Sequence, residues 1–293
     1  MPRRHSRHAV TIGEGFKLAD HAPGAHAEVD KDEAHKRTEI AIAGIADLQN
    51  RLVANQTWSV LAVFQGMDTA GKDGNIDHVF SGVNSAGMSV TSFKQPSPQD
   101  LLQDFLWRVH QHAPPAGHIG VFNRSHYEDV LVPRVHPETL HLDRLPKQMV
   151  GPQFWDHRLE DIAHFEQLLA RRGTLVRKFF LHISKTEQRN RLLERLDQPD
   201  KTWKFQPTDL SERGFWDEYQ HAYQTAISAT ATPHAPWYIV PADHKWYARM
   251  VVAEVMLDTL EALDLQIPNP APNLHAALDA ARAALEAEGK SGA

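Results

Sequence analysis

The feature that most constrains the fold is the segment 64-FQGMDTAGKDG-74, a glycine-rich loop between two different apolar patterns. The run 58-WSVLAVF-64 before it is short, apolar and rich in strand-forming residues, and 75-NIDHVFSGVN-84 after it indicates a helix. The spacing from Gly66 to Lys72 is Gly-x-x-x-x-Gly-Lys, in the strand–loop–helix context that a phosphate-binding loop requires. The segment therefore predicts an anion site built from backbone N–H groups and a helix N-terminus. The alternative is a tight glycine turn followed by a surface lysine.

The loop departs from the usual pattern in its acidic residues. Asp73 stands where Ser or Thr normally follows the lysine, and Asp68 lies inside the loop itself. A carboxylate beside a phosphate is unfavourable unless a cation lies between them, so Asp68 is predicted to bind magnesium or to orient an attacking phosphate. Asp73 is predicted to cap the helix, where an acid meets the positive end of the dipole. The predicted phosphate-binding positions of the loop are Gly66, Ala70, Gly71, Lys72, Asp73 and Gly74.

Strand and helix patterns alternate along the rest of the chain. Strands are predicted at 58–64, 89–93, 119–123, 174–183 and 237–243, and helices at 29–54, 75–84, 98–110, 154–172, 185–196, 209–230, 245–263 and 274–288. Such alternation predicts an α/β fold of about five parallel strands covered by helices on both faces. We expect one domain over 28–265, an extended N-terminal arm over 1–27, and a helical tail over 266–293 behind the proline-rich joint 268–272.

Polar residues follow the third predicted strand, at the sheet edge where ligands of such folds bind. The segment 121-VFNRSHYEDVLVPRV-135 places Asn123 at the strand end, where phosphate-loop enzymes usually carry a metal-binding aspartate. Glu128 and Asp129 follow and are candidates to bind the metal instead, whereas Arg124 is predicted to clamp phosphate oxygens. Arg134 is a further phosphate-binding candidate. The alternative is a surface loop with an ordinary salt bridge.

Two more groups of basic residues are candidates for phosphate contacts. In 187-EQRNRLLER-195, Arg191 and Arg195 share one helical face and Arg189 points elsewhere, which fits a lid over phosphates or a solvated face paired with glutamates. Lys94, at the end of the second strand, and Arg108, in the helix after it, are candidates to hold an acceptor phosphate.

Charge and composition exclude several classes of protein. The net charge of −6 over 293 residues argues against general binding of nucleic acid. Cysteine is absent, which excludes disulfides and thiolate metal sites and fits a cytoplasmic protein. No signal-peptide pattern or membrane-spanning apolar run is found, so no membrane association is expected. The 19 histidines are scattered, and pairs such as His110 and His112 are expected to be surface or core residues more than metal ligands.

The segments GMDTAGKDG, SFKQPS, DFLWRVH, VFNRSHYEDVLVPRV, EQRNRLLERL and PADHKWYARMVV, in this order over residues 35–265, resemble the polyphosphate kinase 2 family. The resemblance implies a three-layer α/β/α fold similar to thymidylate kinase, with a helical lid around 185–210. It implies magnesium-dependent phosphoryl transfer between inorganic polyphosphate and nucleotides, with manganese as a substitute metal. Asp68 would bind metal and place the nucleotide phosphate, Lys72 and Arg124 would contact the transferring phosphates, and Arg189 and Arg191 would contact polyphosphate.

Finer expectations follow from the same resemblance. Asn123 with Glu128 and Asp129 is similar to the subgroup that phosphorylates both AMP and ADP, with ATP as the final product and guanine nucleotides left open. The second metal ligand stays open among these three residues, and the family suggests a dimer or tetramer. The predicted catalytic residues are Asp68, Lys72, Arg124, Glu128 and Asp129, and the predicted nucleotide-binding residues are Asp68, Lys94, Arg108, Asn123 and Glu128. The alternatives are an ATP-dependent kinase of a small molecule and a sensor without turnover.

Overall fold

A single sheet of six strands lies at the centre of the described structure. The computed structural model describes residues 5–143, 145–199, 202, 205, 207–269 and 272–291. Its strands are β1 (Ala9–Val10), β2 (Ser59–Gln65), β3 (Met88–Ser92), β4 (Ile119–Asn123), β5 (Thr174–His182) and β6 (Trp237–Pro241). Their order across the sheet is β1-β6-β5-β2-β4-β3, with β2 to β6 mutually parallel and the short β1 antiparallel to β6. The five predicted parallel strands are therefore confirmed, and β1 adds an edge strand that the sequence pattern did not indicate.

Strand β2 occupies the middle of the sheet because both of its faces are apolar. All seven of its residues are buried, and it pairs with β4 on one side and β5 on the other. A parallel strand buried on both faces is a near-continuous apolar run, which is the pattern of 58–64. The glycine-rich loop that follows β2 therefore lies at the centre of the carboxyl edge of the sheet.

Helices cover both faces of this sheet, as predicted. They are α1 (Lys31–Asn55), α2 (Lys72–Val79), α3 (Trp107–His110), α4 (Glu128–Val135), α5 (Phe154–Arg171), α6 (Lys185–Asp197), α7 (Thr208–Gly214), α8 (Trp216–Thr230), α9 (Lys245–Glu261) and α10 (Pro272–Ser291). Helices α1, α2 and α9 pack together in one layer, and α4, α5 and α8 form the other. The three-layer α/β/α fold is confirmed. No helix in the described part of the chain combines the length and apolarity needed to span a bilayer.

Helix α1 buries only some of its large apolar side chains. Ile45 and Leu52 are buried, but Ile40 is 67% exposed. The helix packs closely against α9, and a Cβ on Gly44 would come within 2.7 Å of Leu257 Cδ1. Small residues on α1, such as Ala41, allow this approach, and an apolar count by itself cannot distinguish them from the large residues that end up exposed.

Residues 98–110 do not form the continuous helix that the pattern predicted. A short turn at Asp100–Leu102 is followed by the four-residue α3. The Ser97 Oγ accepts from the Asp100 N–H at 3.2 Å and caps the turn. Asp104 Oδ1 then accepts from the Leu106 N–H at 2.9 Å. Side chains that bond nearby backbone groups offer the chain an alternative to continuing a helix.

Helix α4 was not predicted, and Pro133, which local sequence rules disfavour within a helix, lies inside it. Proline has no N–H to give to the carbonyl four residues earlier, which here belongs to Asp129. Arg158 of α5 supplies the missing donor, with its Nη1 2.8 Å from that carbonyl oxygen. A tertiary contact therefore permits a helix that local sequence rules disfavour.

Other element boundaries differ less from the predicted ones. The predicted helix over 209–230 is divided into α7 and α8 at Gly214–Phe215. Residues 5–27, predicted to be extended, contain β1 and two short 3-10 turns that pack on the domain. Parts of four predicted segments lie outside the described residues, namely 1–4 of the arm, 200–201, 203–204 and 206 of the loop and lid, 270–271 of the proline-rich joint, and 292–293 of the tail.

Candidate active site

Two glycines give the loop after β2 its course. Gly71 has φ +98°, a left-handed conformation, and occupies the N-cap position of α2. At Gly66, an added Cβ would lie 2.9 Å from the Leu181 carbonyl oxygen of β5, so only glycine fits there. Asp73 is in the first turn of α2 but is not its cap, so the predicted capping role is wrong and the predicted place near the helix dipole is correct.

Lys72 closes the loop on itself. Its Nζ donates to the carbonyl oxygens of Gly66 at 2.8 Å and Met67 at 3.3 Å, and the side chain is buried. Burial, helped by the nearby Arg124 guanidinium, lowers the pKa of Lys72 from 10.5 to about 8. The ammonium therefore lies at the base of the loop, with two loop carbonyl oxygens as its partners.

Arg124 connects the loop with the residues after β4. Its Nη2 donates to Asp68 Oδ1 at 2.8 Å, and its Nη1 donates to Glu128 Oε2 at 3.0 Å. The carboxylate of Glu128, and after it that of Asp68, holds the pKa of Arg124 above its usual range. Arg124 itself has φ +62°, which is uncommon for a residue other than glycine. This backbone conformation turns the chain so that one guanidinium bridges two carboxylates.

Asn123 and Asp73 form a second link between the same two segments. Asn123 Nδ2 donates to Asp73 Oδ1 at 2.7 Å. The residue that replaces the usual loop hydroxyl is therefore held by the residue that replaces the usual strand-end aspartate. Asp73 and Asn123, two residues that depart from the standard phosphate-loop pattern, are therefore in direct contact.

The predicted acceptor-side residues lie together at the ends of β3 and β4. Arg108 donates from Nη1 to the Lys94 carbonyl oxygen at 2.8 Å and from Nη2 to Asp129 Oδ2 at 3.3 Å. The Arg108 and Asp129 side chains are only 11% and 12% exposed. Their ion pair fixes Asp129 beside Glu128, whereas the Lys94 side chain is exposed.

The arginines of helix α6, which were predicted to contact phosphates, lie in different surroundings. The Arg191 guanidinium is buried and donates to the carbonyl oxygens of Thr69, Ala70, Ala242 and Asp243. Arg189 is exposed. Arg195 pairs with Asp209 of α7 at 3.2 Å, and Arg134 of α4 lies over the Trp155 ring. The predicted polyphosphate contacts of these arginines stay predictions.

Several residues that shape the site were not predicted. Gln188, on the same face of α6 as Arg191, donates to the Asp68 carbonyl oxygen at 3.1 Å. Its three-residue spacing from Arg191 was a usable signal, because residues three apart share a helical face. Tyr223 of α8 is buried close to the loop, and its pKa is raised, first by burial and then by the Glu128 carboxylate. Nothing in the pattern of α8 distinguishes Tyr223 from a core residue.

A buried polar network supports the segment between β4 and α4. Lys178 of β5 donates to Glu166 of α5, to the Tyr127 hydroxyl and to the Thr230 carbonyl oxygen. Tyr127 also donates to Glu166 at 2.8 Å. A buried charge without a partner is costly, so these contacts fix Tyr127, the residue immediately before Glu128.

The arrangement defines a class of protein. A glycine-rich loop with a buried lysine, at the centre of a parallel sheet and covered by a basic helix, is a phosphate-loop kinase fold. Among the described residues, no three His, Asp or Glu side chains are close enough together to hold a metal by themselves. Instead, Asp68 and Glu128 lie on either side of the Arg124 guanidinium, an arrangement suited to binding phosphates together with a cation.

The family is shown by comparison with known proteins. The family model described as Polyphosphate kinase 2 (PPK2) matches residues 28–268, and the chain belongs to this family. It is 46% identical to an ADP-polyphosphate phosphotransferase of Rhodopseudomonas palustris over 243 residues, covering 83% of this chain and 84% of that one. It is 50% identical to an AMP/ADP-polyphosphate phosphotransferase of Meiothermus ruber over 223 residues, covering 76% and 79%.

A solved structure agrees with the fold. The crystal structure of polyphosphate kinase 2 from Arthrobacter aurescens TC1 matches with a TM-score of 0.84 and 38% identity, covering 92% of this chain and 95% of that one.

Proposed function

We propose that this protein is a polyphosphate-dependent nucleotide kinase that transfers the terminal phosphoryl group of inorganic polyphosphate to AMP and ADP. The observation that carries the proposal is the bridge that Arg124 forms between Asp68 of the phosphate loop and Glu128 of α4. The bridge places two carboxylates and one guanidinium at the loop, where the acceptor phosphate and the end of the polyphosphate chain must meet. The relatives named as ADP- and AMP/ADP-polyphosphate phosphotransferases support both the donor and the acceptors.

The reaction needs positioning and charge neutralisation more than covalent chemistry. An oxygen of the acceptor's terminal phosphate attacks the terminal phosphorus of polyphosphate, and the bond from that phosphorus to its bridging oxygen breaks. The electron pair stays on the bridging oxygen, so the chain leaves one phosphate shorter. Lys72 and Arg124 stabilise the negative charge on the transferring group. No residue of the protein becomes phosphorylated.

A divalent metal fits the oxygen donors of the site. Asp68, with Glu128 or Asp129, would hold Mg²⁺, a hard cation that uses one or two carboxylates and completes its shell with substrate phosphates and water. When bound, such a cation would neutralise part of the negative charge of the phosphates. Mn²⁺, with the same preference for oxygen ligands, would substitute.

The acceptor side is assigned to the ends of β3 and β4. Arg108 and Lys94 lie there, and the ion pair between Arg108 and Asp129 places a fixed cation beside Glu128. We propose that this group receives the nucleotide phosphate. The hydrogen bond from Asn123 Nδ2 to Asp73 Oδ1 joins the first turn of α2 to the end of β4, next to this group.

The test is a product assay with each acceptor separately. The protein is incubated with magnesium and long-chain polyphosphate, with AMP, ADP or GDP, and nucleotides are separated by anion exchange. We expect ADP and ATP from AMP, and ATP from ADP. Formation of ATP from ADP only would remove AMP from the proposal. Transfer from ATP to another acceptor, with no product from polyphosphate, would identify an ordinary ATP-dependent kinase and contradict it.

A further inference from the structure

The N-terminal arm packs tightly on helix α8 after its strand β1 has paired with β6. The arm precedes residues 28–268, the segment that the family model matches. Leu18 is buried, and its N–H donates to Gln224 Oε1 of α8 at 3.1 Å. A Cβ on Gly13 would overlap the Ser228 carbonyl group of the same helix, so only glycine lets the arm lie this close. The arm is therefore fixed in one position on α8.

The arm then reaches the turn after β6, residues 242–243. The Pro23 carbonyl oxygen accepts from the Asp243 N–H at 3.2 Å. The His26 ring lies edge-on to the His244 ring, with centroids 5.3 Å apart. A backbone hydrogen bond and a ring contact therefore attach the arm to this turn.

The same turn holds helix α6. Asp243 Oδ1 accepts from the Ser184 N–H at 2.8 Å, and Ser184 is the N-cap residue of α6. The carbonyl oxygens of Ala242 and Asp243 both accept from Arg191 Nη2 of that helix. The turn therefore fixes α6 at its first residue and again at Arg191, farther along the helix.

Arg191 connects the turn with the phosphate loop. Its Nη1 donates to the Thr69 carbonyl oxygen at 3.0 Å and to the Ala70 carbonyl oxygen at 3.1 Å. Thr69 has φ +63°, a left-handed conformation that is rare for a β-branched residue. Such a conformation persists only where surrounding contacts hold it. The loop therefore depends on this guanidinium for its shape, and Asp68 is the residue next to the strained position.

We propose that the N-terminal arm is a positioning element for the phosphate loop, and that Asp243 is the positioning residue through which it acts. The proposal rests on the proposed function and adds what keeps the loop in its catalytic geometry. The link runs from Pro23 through Asp243 and Arg191 to Thr69. A displacement of about 1 Å at the reacting groups can lower a rate by a factor of about 100, so a loosened arm slows the transfer step itself.

The test displaces the arm with Gly13→Ala, which removes no hydrogen-bonding group from the arm or the site. We expect kcat with polyphosphate and ADP, measured well below the unfolding midpoint, to fall about tenfold. The KM for ADP should stay within about twofold of wild type, because the proposed acceptor residues follow β3 and β4, on the other side of β2. Gly151→Ala is the matched control, since a Cβ there meets no atom within 4 Å, and it should change neither value.

Amide hydrogen exchange of the ligand-free protein supplies a readout that needs no turnover. We expect Gly13→Ala to exchange faster than wild type both in residues 13–24 and in the loop, 66–74. Faster exchange of the arm with an unchanged loop and an unchanged kcat would show that the arm only covers the surface, and would overturn the proposal. If the arm exchanges as in wild type, Gly13→Val is measured. An unchanged arm in that variant as well would contradict the close packing on which the proposal depends.

Two variants of Asp243 test its role as the positioning residue. Asp243→Ala removes the acceptor of the Ser184 N–H and should lower kcat about tenfold, whereas Asp243→Asn keeps an oxygen there and should retain most of the activity. Equal losses in both variants, or no loss in either, would refute positioning by this hydrogen bond. If wild type forms no product from polyphosphate, the proposed function fails, and exchange in the loop still decides whether the arm positions it.

Discussion

Asp68 and Lys72 are the two loop side chains on which the proposed chemistry depends most. Asp68 is held by Arg124, and Lys72 is buried against two loop carbonyls. We expect Asp68→Ala or Lys72→Ala to lower kcat by a factor of about 100 or more, the loss typical of removing an electrostatic stabiliser from a transition state. Steady-state kinetics with polyphosphate and ADP measure this. Asp47→Ala, in an exposed pair with Arg51, is the control, and near-normal turnover in either loop variant would refute the assigned roles.

The lowered pKa of Lys72 predicts a pH dependence. Its ammonium loses its proton near pH 8 in the protein, whereas an ordinary lysine does so near 10.5. The charged form binds phosphate, so kcat/KM for polyphosphate should fall as the pH rises through about 8. Lys72→Arg keeps its charge throughout this range, and its remaining activity should lack this decline. A wild-type profile that stays level up to pH 10.5 would contradict the assignment.

Helix α6 carries two arginines that the structure places in different surroundings. Arg191 is buried and satisfies four backbone carbonyls of the loop and of the turn after β6, whereas Arg189 is exposed. Each buried carbonyl left without a donor costs about 1–3 kcal/mol. We therefore expect Arg191→Ala to lower both the unfolding midpoint and kcat.

Arg189→Ala serves as the comparison on the same helix. We expect it to leave the unfolding midpoint unchanged and to raise only the KM for polyphosphate, in line with the predicted lid contact. Differential scanning fluorimetry and initial rates measure both variants. Equal unfolding midpoints for Arg191→Ala and wild type would show that the loop does not depend on this guanidinium.

The N-terminal arm is fastened to the domain by a buried carboxylate. Glu254 of α9 accepts two hydrogen bonds from Arg37 of α1 and contacts the His5 ring. Burial by itself would raise the pKa of Glu254, but the hydrogen bonds from His5 and Arg37 outweigh it and lower the pKa from 4.5 to about 2. A carboxyl whose pKa is lower in the folded state stabilises the fold above its unfolded pKa, and this contribution disappears as the pH falls.

Glu254→Gln should therefore be less stable than wild type at neutral pH. The difference in free energy of unfolding should shrink as the pH falls from 4.5 toward about 2, because wild-type Glu254 then takes up a proton. Urea denaturation across this range measures it. Glu261→Gln, at the exposed end of α9, is the control, and a difference that does not vary with pH would contradict the role of the Glu254 charge.

Local sequence rules were sufficient to predict those features whose physical cause lies within a few neighbouring residues. The apolar run of β2, the glycines of the loop and the lysine at its end all follow from backbone geometry and burial within a few residues. The alternation of elements likewise fixes a parallel sheet, since parallel strands need helical crossovers. The meeting of Asp68 with Arg124 at one sheet edge was also foreseeable, because parallel strands end on the same side.

Tertiary structure decided what depends on partners distant in sequence. Helix α4 continues through Pro133 because Arg158 donates to the carbonyl that the proline leaves without a partner. Arg191 faces the loop because it donates to carbonyl oxygens more than 50 residues away in the chain. The arm's small strand β1 formed because β6 had an open edge. The sequence alone determined the fold class, the phosphate loop and the acid–base composition of the site. Only the packed molecule decided which charges face substrate and which hold the protein together, because hydrogen bonds and desolvation depend on three-dimensional neighbours.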